Sequence, residues 1–306
     1  MTTRKQTAAL LLALALCLSF AGCGGTDKTE TVSVHIDYAT ATVSYLGPEG
    51  TYTQEACGQF FEKQGTYVPY ETVNDAVEAL VNGDSGYAVI PQENTIGGAV
   101  TDYVDILIAR PEVTVVGEVE LPINQNLLVL PGTALAEIKT VYSHKQGIAQ
   151  GQNWLRENLP DAEVTEVSST AEGAKMVAEG KDPSCAAIAS ADCADVYGLE
   201  VLADAIQNND SNKTRFYVLS TQPPATENAD RTAFVASGSA EELPGLMAAM
   251  EKRGATLIAL HDRPLKTELG QYAYLIECAG ITYGDYRKLT ESSAFTFRCL
   301  GSFNVR

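Results

Sequence analysis

From Thr42 onward, short apolar runs that stop at Gly or Pro alternate with stretches of helical spacing, and this alternation restricts the fold more than any single motif. Thr42–Leu46 reads as a strand, and Gly47-Pro48-Glu49-Gly50 turns it into a helix over about 52–63. Thr66–Tyr70 is a second strand, and Val73, Val77, Leu80 and Val81 fall on one helical face. Residues 87–90 form a short buried strand stopped by Pro91, and a helix follows through Val100, Val104, Leu107 and Ile108. Strand and helix in turn predict a mainly parallel sheet with helices on both faces. Residues 113–121 and 126–130 read as crossing strands into a second α/β lobe, with strands at 138–142, 163–167 and 185–189 and a helix at 170–179. Residues 201–206 and 212–219 bring the chain back. Two lobes joined by two crossings enclose a cleft, a favoured place for a small-molecule site.

The catalytic unit is expected over 42–220, with one lobe at about 42–122 and 205–220 and the other at about 123–204. Residues 221–229, rich in Pro, Thr and Asn, form a linker. Beyond them come a strand (232–236), a helix (241–253), two strands (255–261, 272–278), a helix (286–292) and a strand ending at Leu300. This β-α-β-β-α-β order is the ferredoxin-like pattern and predicts a smaller domain over 230–306.

Arg4 and Lys5 precede 13 almost wholly apolar positions, Ala8 to Phe20, and then Ala21-Gly22-Cys23-Gly24-Gly25. That is the build of a secretory signal over 1–22. It falls short of the about 20 residues needed to span hydrocarbon. The small residues around Cys23 resemble a bacterial lipobox, so Cys23 is expected to carry lipid and to anchor an exported protein to the outer face of the cytoplasmic membrane. Residues 23–41 are polar and read as a flexible tether. The net charge of −18 excludes nucleic acid and anionic lipid surfaces as partners, and any anionic substrate must be met by local donors. The cysteines past Cys23 (57, 185, 193, 278, 299) have no metal-ligand spacing and sit in apolar contexts, so they read as core fillers and no metal is expected.

Asn212-Lys213-Thr214-Arg215-Phe216 puts a hydroxyl, two cations and a ring where a polar loop becomes a strand, a common position for binding and catalytic groups. Gly47-Pro48-Glu49-Gly50-Thr51 precedes a helix and offers free N–H groups and a positive dipole end to a carboxylate. Pro91-Gln92-Glu93-Asn94-Thr95 supplies a carboxyl, an amide and a hydroxyl. Glu93 is a candidate general acid if burial raises its pKa, while a helix-capping cluster is the plainer reading. His144 lies in a turn with Lys145 and Gln146.

In order, these stretches resemble the prephenate dehydratase family. The resemblance rests on Tyr45 to Ala56, on Pro91 to Thr95 with Gly98, on His144-Lys145-Gln146 with Gln150, Trp154 and Leu155, on Tyr197-Gly198-Leu199, and on Asn212 to Phe216. It covers about 42–220, and the remainder resembles the family's C-terminal ACT domain, including Arg263-Pro264. It implies an α/β fold: a bilobed, periplasmic-binding-protein-like catalytic domain with an inter-lobe cleft, followed by the βαββαβ ACT domain. It implies decarboxylating dehydration of prephenate, or of its relative arogenate, without cofactor. Thr214 is expected to bond the leaving hydroxyl and Arg215 to grip a carboxylate in the same crevice, with Glu93 as the rival proton donor. Gly50, Thr51, Asn94, Thr95, His144, Gln146, Asn212 and Phe216 are expected around the cleft. Leu243 and Arg263 fall at the ACT effector position for L-phenylalanine, but Glu241 and Glu242 there oppose an amino-acid carboxylate. The resemblance also implies a homodimer or homotetramer. Two rivals have the same outline: a solute-binding lipoprotein without catalysis, and an ACT-type amino-acid sensor.

Overall fold

The computed structural model describes residues 32–306, so the expected signal, Cys23 and the first part of the tether lie outside the described residues. From Thr42 the chain runs β1 (Thr42–Leu46), α1 (Tyr52–Phe60), β2 (Thr66–Tyr70), α2 (Val73–Asn82), β3 (Tyr87–Asn94), β4 (Gly98–Ala99), α3 (Thr101–Ala109) and β5 (Thr114–Pro122). There follow β6 (Asn126–Val129), β7 (Thr140–Ser143), α4 (Lys145–Asn158), β8 (Glu163–Glu166), α5 (Thr170–Gly180), β9 (Cys185–Ala189), α6 (Asp192–Tyr197) and β10 (Glu200–Ala203). The last elements are β11 (Lys213–Ser220), β12 (Arg231–Ser239), α7 (Leu243–Glu251), β13 (Thr256–Pro264), β14 (Gln271–Ala279), α8 (Tyr283–Ser292) and β15 (Thr296–Phe303).

Three sheets result. The first has the order β2-β1-β3-β11-β5, the second β10-β6-β9-β7-β8 and the third β13-β14-β12-β15. The first is mixed rather than mainly parallel. β1 pairs parallel with β2 and β3, but the return strand β11 runs antiparallel to both β3 and β5. The strand that enters each sheet after a crossing is the reversed one: β11 in the first, and in the second β6, which is antiparallel to β9. The third sheet is antiparallel throughout, in the order expected of the βαββαβ pattern.

Pro91 does not end β3. Pairing with β1 stops at Val89, so beyond it the missing Pro91 N–H deprives no neighbour of a bond. The ladder to β11 continues to Asn94, with a register shift that leaves Gln92 unpaired between Arg215↔Glu93 and Phe216↔Pro91. α1 stops at Phe60 instead of Lys63, because Glu62 and Lys63 take left-handed backbone at φ 55° and 58°.

The third sheet is built against the first. One core cluster joins Ala88, Ile90, Val115, Tyr217 and Leu219 to Ala233, Val235, Leu275 and Phe303. The alternate residues Phe234, Ala236 and Ile276 face the opposite way, into a core with Leu246 and Met250 of α7 and Leu289 of α8. Strand alternation therefore makes the C-terminal sheet a wall with two apolar faces. The chain end adds to it. Glu118 N–H donates to the Asn304 carbonyl at 3.2 Å, and Arg306 N–H to the Glu118 carbonyl at 2.9 Å, covering the open edge of β5. Cys57, Cys185, Cys193, Cys278 and Cys299 are all unbridged.

Candidate active site

A cleft of 1010 Å³ is lined from one side by residues of the first sheet and its loops and from the other by residues of the second lobe. Leu46, Gly47, Pro48, Thr51 and Tyr52 reach it from the β1–α1 turn, Pro91 and Asn94 from β3, and Thr214 and Phe216 from β11. Opposite them stand Gln125, His144, Gln146, Gln150, Ser168, Ser169 and Thr170.

Alternation decides which residues of the Asn212–Phe216 stretch reach this space. On a pleated strand, neighbours point to opposite faces. Thr214 and Phe216 line the cleft, and Phe216 and Val218 share a core with α1. Arg215 and Tyr217 point to the third sheet. The expectation that Arg215 grips a substrate carboxylate beside Thr214 is therefore corrected. Its Nε and Nη2 each donate at 2.8 Å to the wholly buried Glu118, and Nη2 also donates to Glu277 of β14. Glu93 is corrected with it. The unpaired Gln92 bulges the strand, so Pro91 and Asn94 face the cleft while Gln92 and Glu93 face the other way. Glu93 accepts from Arg215 Nη1 at 3.2 Å, and Gln92 Nε2 donates to Glu277 at 2.8 Å.

The Thr214 hydroxyl has a fixed environment. Asn94 Oδ1 accepts the N–H groups of Ile96 (3.0 Å) and Gly97 (2.8 Å), which assigns its amide nitrogen. That nitrogen donates to Thr214 Oγ1 at 2.9 Å and to Asn212 Oδ1 at 2.8 Å. Thr214 thus receives a bond on its oxygen and keeps its proton for a partner in the cleft. Thr95 and Asn212 do not line the cleft; they hold its rim. Thr95 Oγ1 accepts from Lys213 N–H at 3.0 Å, and the side chain of Asn212 is buried under Asn94. Gly50 does not line the cleft either. At φ 82° its carbonyl accepts from Ser190 Oγ and Cys193 Sγ, both at 3.0 Å, joining the β1–α1 turn to the second lobe. A Cβ at Gly50 would stand 2.8 Å from Cys193 Sγ, so the close approach requires glycine.

Among the described residues no Lys or Arg lines the cleft, while Glu71 and Glu172 do. The groups there that can favour an anion are helix ends. α1 begins behind Thr51, whose side chain makes no capping bond, α4 begins behind His144 and α5 behind Ser169, and all three cap residues line the cleft. His144 Nδ1 accepts the Gln146 N–H at 3.3 Å and Ser169 Oγ the Glu172 N–H at 3.0 Å, and the first-turn N–H groups left over, with the aligned dipole, favour an anion there. Gly147 permits one of these approaches, since a Cβ there would lie 2.5 Å from Ser143 Oγ. Among the described residues no group of three or more His, Cys, Asp or Glu is placed to hold a metal ion.

The charged cluster behind β11 lies outside the sequence expectations. Glu118 and Glu277 sit mid-strand in apolar runs, and a buried carboxylate is rare unless paired, which is the signal that marks them. Burial pushes the Glu118 carboxyl up to about 7, against the lowering effect of Arg215, and the neighbouring Glu277 adds to the rise. Gln125, bonded at 2.8 Å to Gln150 of the resemblance motif in the cleft wall, carries no chemical signal in sequence beyond being an amide. Leu243 opens α7, and Arg263 pairs with Asp105 of α3. Neither lines the cleft.

A family model described as "Prephenate dehydratase" matches residues 43–224. The prephenate dehydratase of Corynebacterium glutamicum is 34% identical over 254 residues, covering 79% of each chain. The bifunctional chorismate mutase/prephenate dehydratase of Neisseria gonorrhoeae is 34% identical over 241 residues, or 78% of this chain, which spans only 66% of that longer protein. Among solved structures, the prephenate dehydratase of Arthrobacter aurescens in complex with L-Phe has a TM-score of 0.75 at 32% identity, covering 86% of this chain and 90% of its own. With Thr214 and Asn94 joined at the edge of an inter-lobe cleft and relatives of this closeness, the chain belongs to the prephenate dehydratase family.

Proposed function

We propose that the cleft converts prephenate to phenylpyruvate, water and carbon dioxide. In that reaction the ring carboxylate leaves as CO2, its bonding pair enters the ring, and the hydroxyl at the opposite carbon departs. Aromaticity drives the step, so the protein need only hold two carboxylates and stabilise the leaving oxygen. Thr214 does the latter. Its proton is free because Asn94 occupies the oxygen, and a preset donor at a developing oxyanion is commonly worth about 10²–10³ in kcat. A threonine hydroxyl is too weak an acid to give up its proton outright; it supplies a hydrogen bond to the leaving oxygen, which takes its proton from water. The N-terminal turns of α1, α4 and α5, with the hydroxyls and amides beside them, take the carboxylates without a cation. The carrying observation is the 2.9 Å bond from Asn94 Nδ2 to Thr214 Oγ1 within the cleft wall. Incubation of the purified protein with prephenate tests it, with stoichiometric phenylpyruvate and CO2 expected; binding without turnover refutes it.

The βαββαβ unit is read as an ACT module that mediates a dimer. The Arthrobacter relative was solved with L-Phe. Here Glu241 and Glu242 stand exposed just before α7, where they repel an amino-acid carboxylate. Weak or no response to L-phenylalanine follows, and calorimetric titration would detect a site. Export with a lipid anchor at Cys23 remains part of the proposal; Cys23→Ala should release the protein from the membrane fraction.

A further inference from the structure

We propose that Glu277, carried by the C-terminal sheet, is a positioning residue for the dehydratase cleft. The inference rests on the dehydratase reading of that cleft. Glu277 is 1% exposed and meets residues of both strands that form the cleft floor. It accepts from Arg215 Nη2 and the Tyr217 hydroxyl on β11, and from Gln92 Nε2 at 2.8 Å on β3. Arg231 of β12 lies 3.4 Å away.

Each residue that Glu277 holds neighbours one that lines the cleft. Arg215 and Tyr217 alternate with Thr214 and Phe216, and Gln92 follows Pro91 two places before Asn94. The carboxylate thereby fixes, from behind, the strand positions that aim the Thr214 hydroxyl and its Asn94 partner.

Stability alone does not account for this cluster. Glu93, Glu118 and Glu277 face Arg215 and Arg231, leaving carboxylates in excess in a place where apolar packing is commonly as stable or more so. What such a cluster supplies is a unique register. A misplacement of about 1 Å at a reacting group costs on the order of 10²-fold in rate. The dehydratase cleft is therefore incomplete without the third sheet, which acts as part of its scaffold.

The test is a double-mutant cycle on the full-length protein, with wild-type turnover of prephenate as its control. Absence of wild-type turnover removes the dehydratase reading itself. Given turnover, Glu277→Ala should lower kcat by about 10-fold or more with KM within about twofold. In a Thr214→Ala background the same change should cost less than about twofold, since no hydroxyl remains to be aimed. Tyr217→Phe, which removes one bond to Glu277 and keeps the ring, should show the same pattern at about two- to fivefold, and it decides the matter if Glu277→Ala does not fold. Folded Glu277→Ala or Tyr217→Phe protein with wild-type kcat, or with an equal loss in both backgrounds, overturns the proposal.

Discussion

The two faces of β11 solve opposite problems with adjacent residues. Toward the cleft, Thr214 presents a hydroxyl and the buried Phe216 backs it as part of the core under α1, and anion attraction is left to neutral helix ends. Toward the third sheet, Arg215 and Tyr217 are packed among buried carboxylates and do not line the cleft. A guanidinium that looks like a ligand clamp in sequence is a structural strut. A period of two along the chain separates the chemistry from its support.

The comparison is broken most forcefully from the buried side. Arg215→Met should leave Glu118 and Glu277 without their main partner and cost about 3–5 kcal/mol, read by denaturant unfolding. A variant of wild-type stability would mean that the cluster is not paired as described. On the cleft side, Asn94→Asp replaces the donor to Thr214 with an acceptor, so the hydroxyl proton is captured by the new carboxylate. A fall in kcat of about 10²-fold is expected at neutral pH, measured with prephenate. Next in size is a salt effect that sharpens the contrast. Because no Lys or Arg among the described residues lines the cleft, kcat/KM for a dianion should change less than about threefold between low salt and 0.5 M. A steep decline would point to a cation at the site.

The smallest effect is a pH slope from the buried face. Burial raises the folded carboxyl of Glu118 to about 7, above the 4.5 of its free form. Between these values the folded state holds more protons than the unfolded chain, so this contribution is complete below about 4.5 and is lost as pH rises through about 7. Glu118→Gln should flatten unfolding stability across that window, and an unchanged profile would place the titration elsewhere.

The order of strands and helices was legible because short apolar runs alternate with stretches of helical spacing, as at Cys185–Ala189, an apolar run between Ser184 and Ser190 that forms β9 over the same residues. Thr214, Phe216, Asn94, Thr51, His144 and Gln146 were legible by resemblance to a family, and the cleft gathers them. What escaped was facing. The resemblance places Arg215 and Glu93 in the crevice with Thr214, although alternation along β11 already sets Arg215 against Thr214. Glu93 was harder, because its side depends on the extra residue Gln92, and a bulge leaves no pattern in a five-residue polar stretch. The mixed first sheet was missed for a similar reason, since strand direction is fixed by the return of β11 from the second lobe and not by local pattern.

The claim beneath the rest is that the reacting group on β11 is a hydroxyl donor and not the cation beside it. Comparing kcat of Thr214→Ser with that of Thr214→Val, in soluble protein of matched stability, tests it most directly. The serine variant should keep kcat within about tenfold, while the isosteric valine should lose about 10²–10³-fold. Equal activity in the two variants would contradict the account.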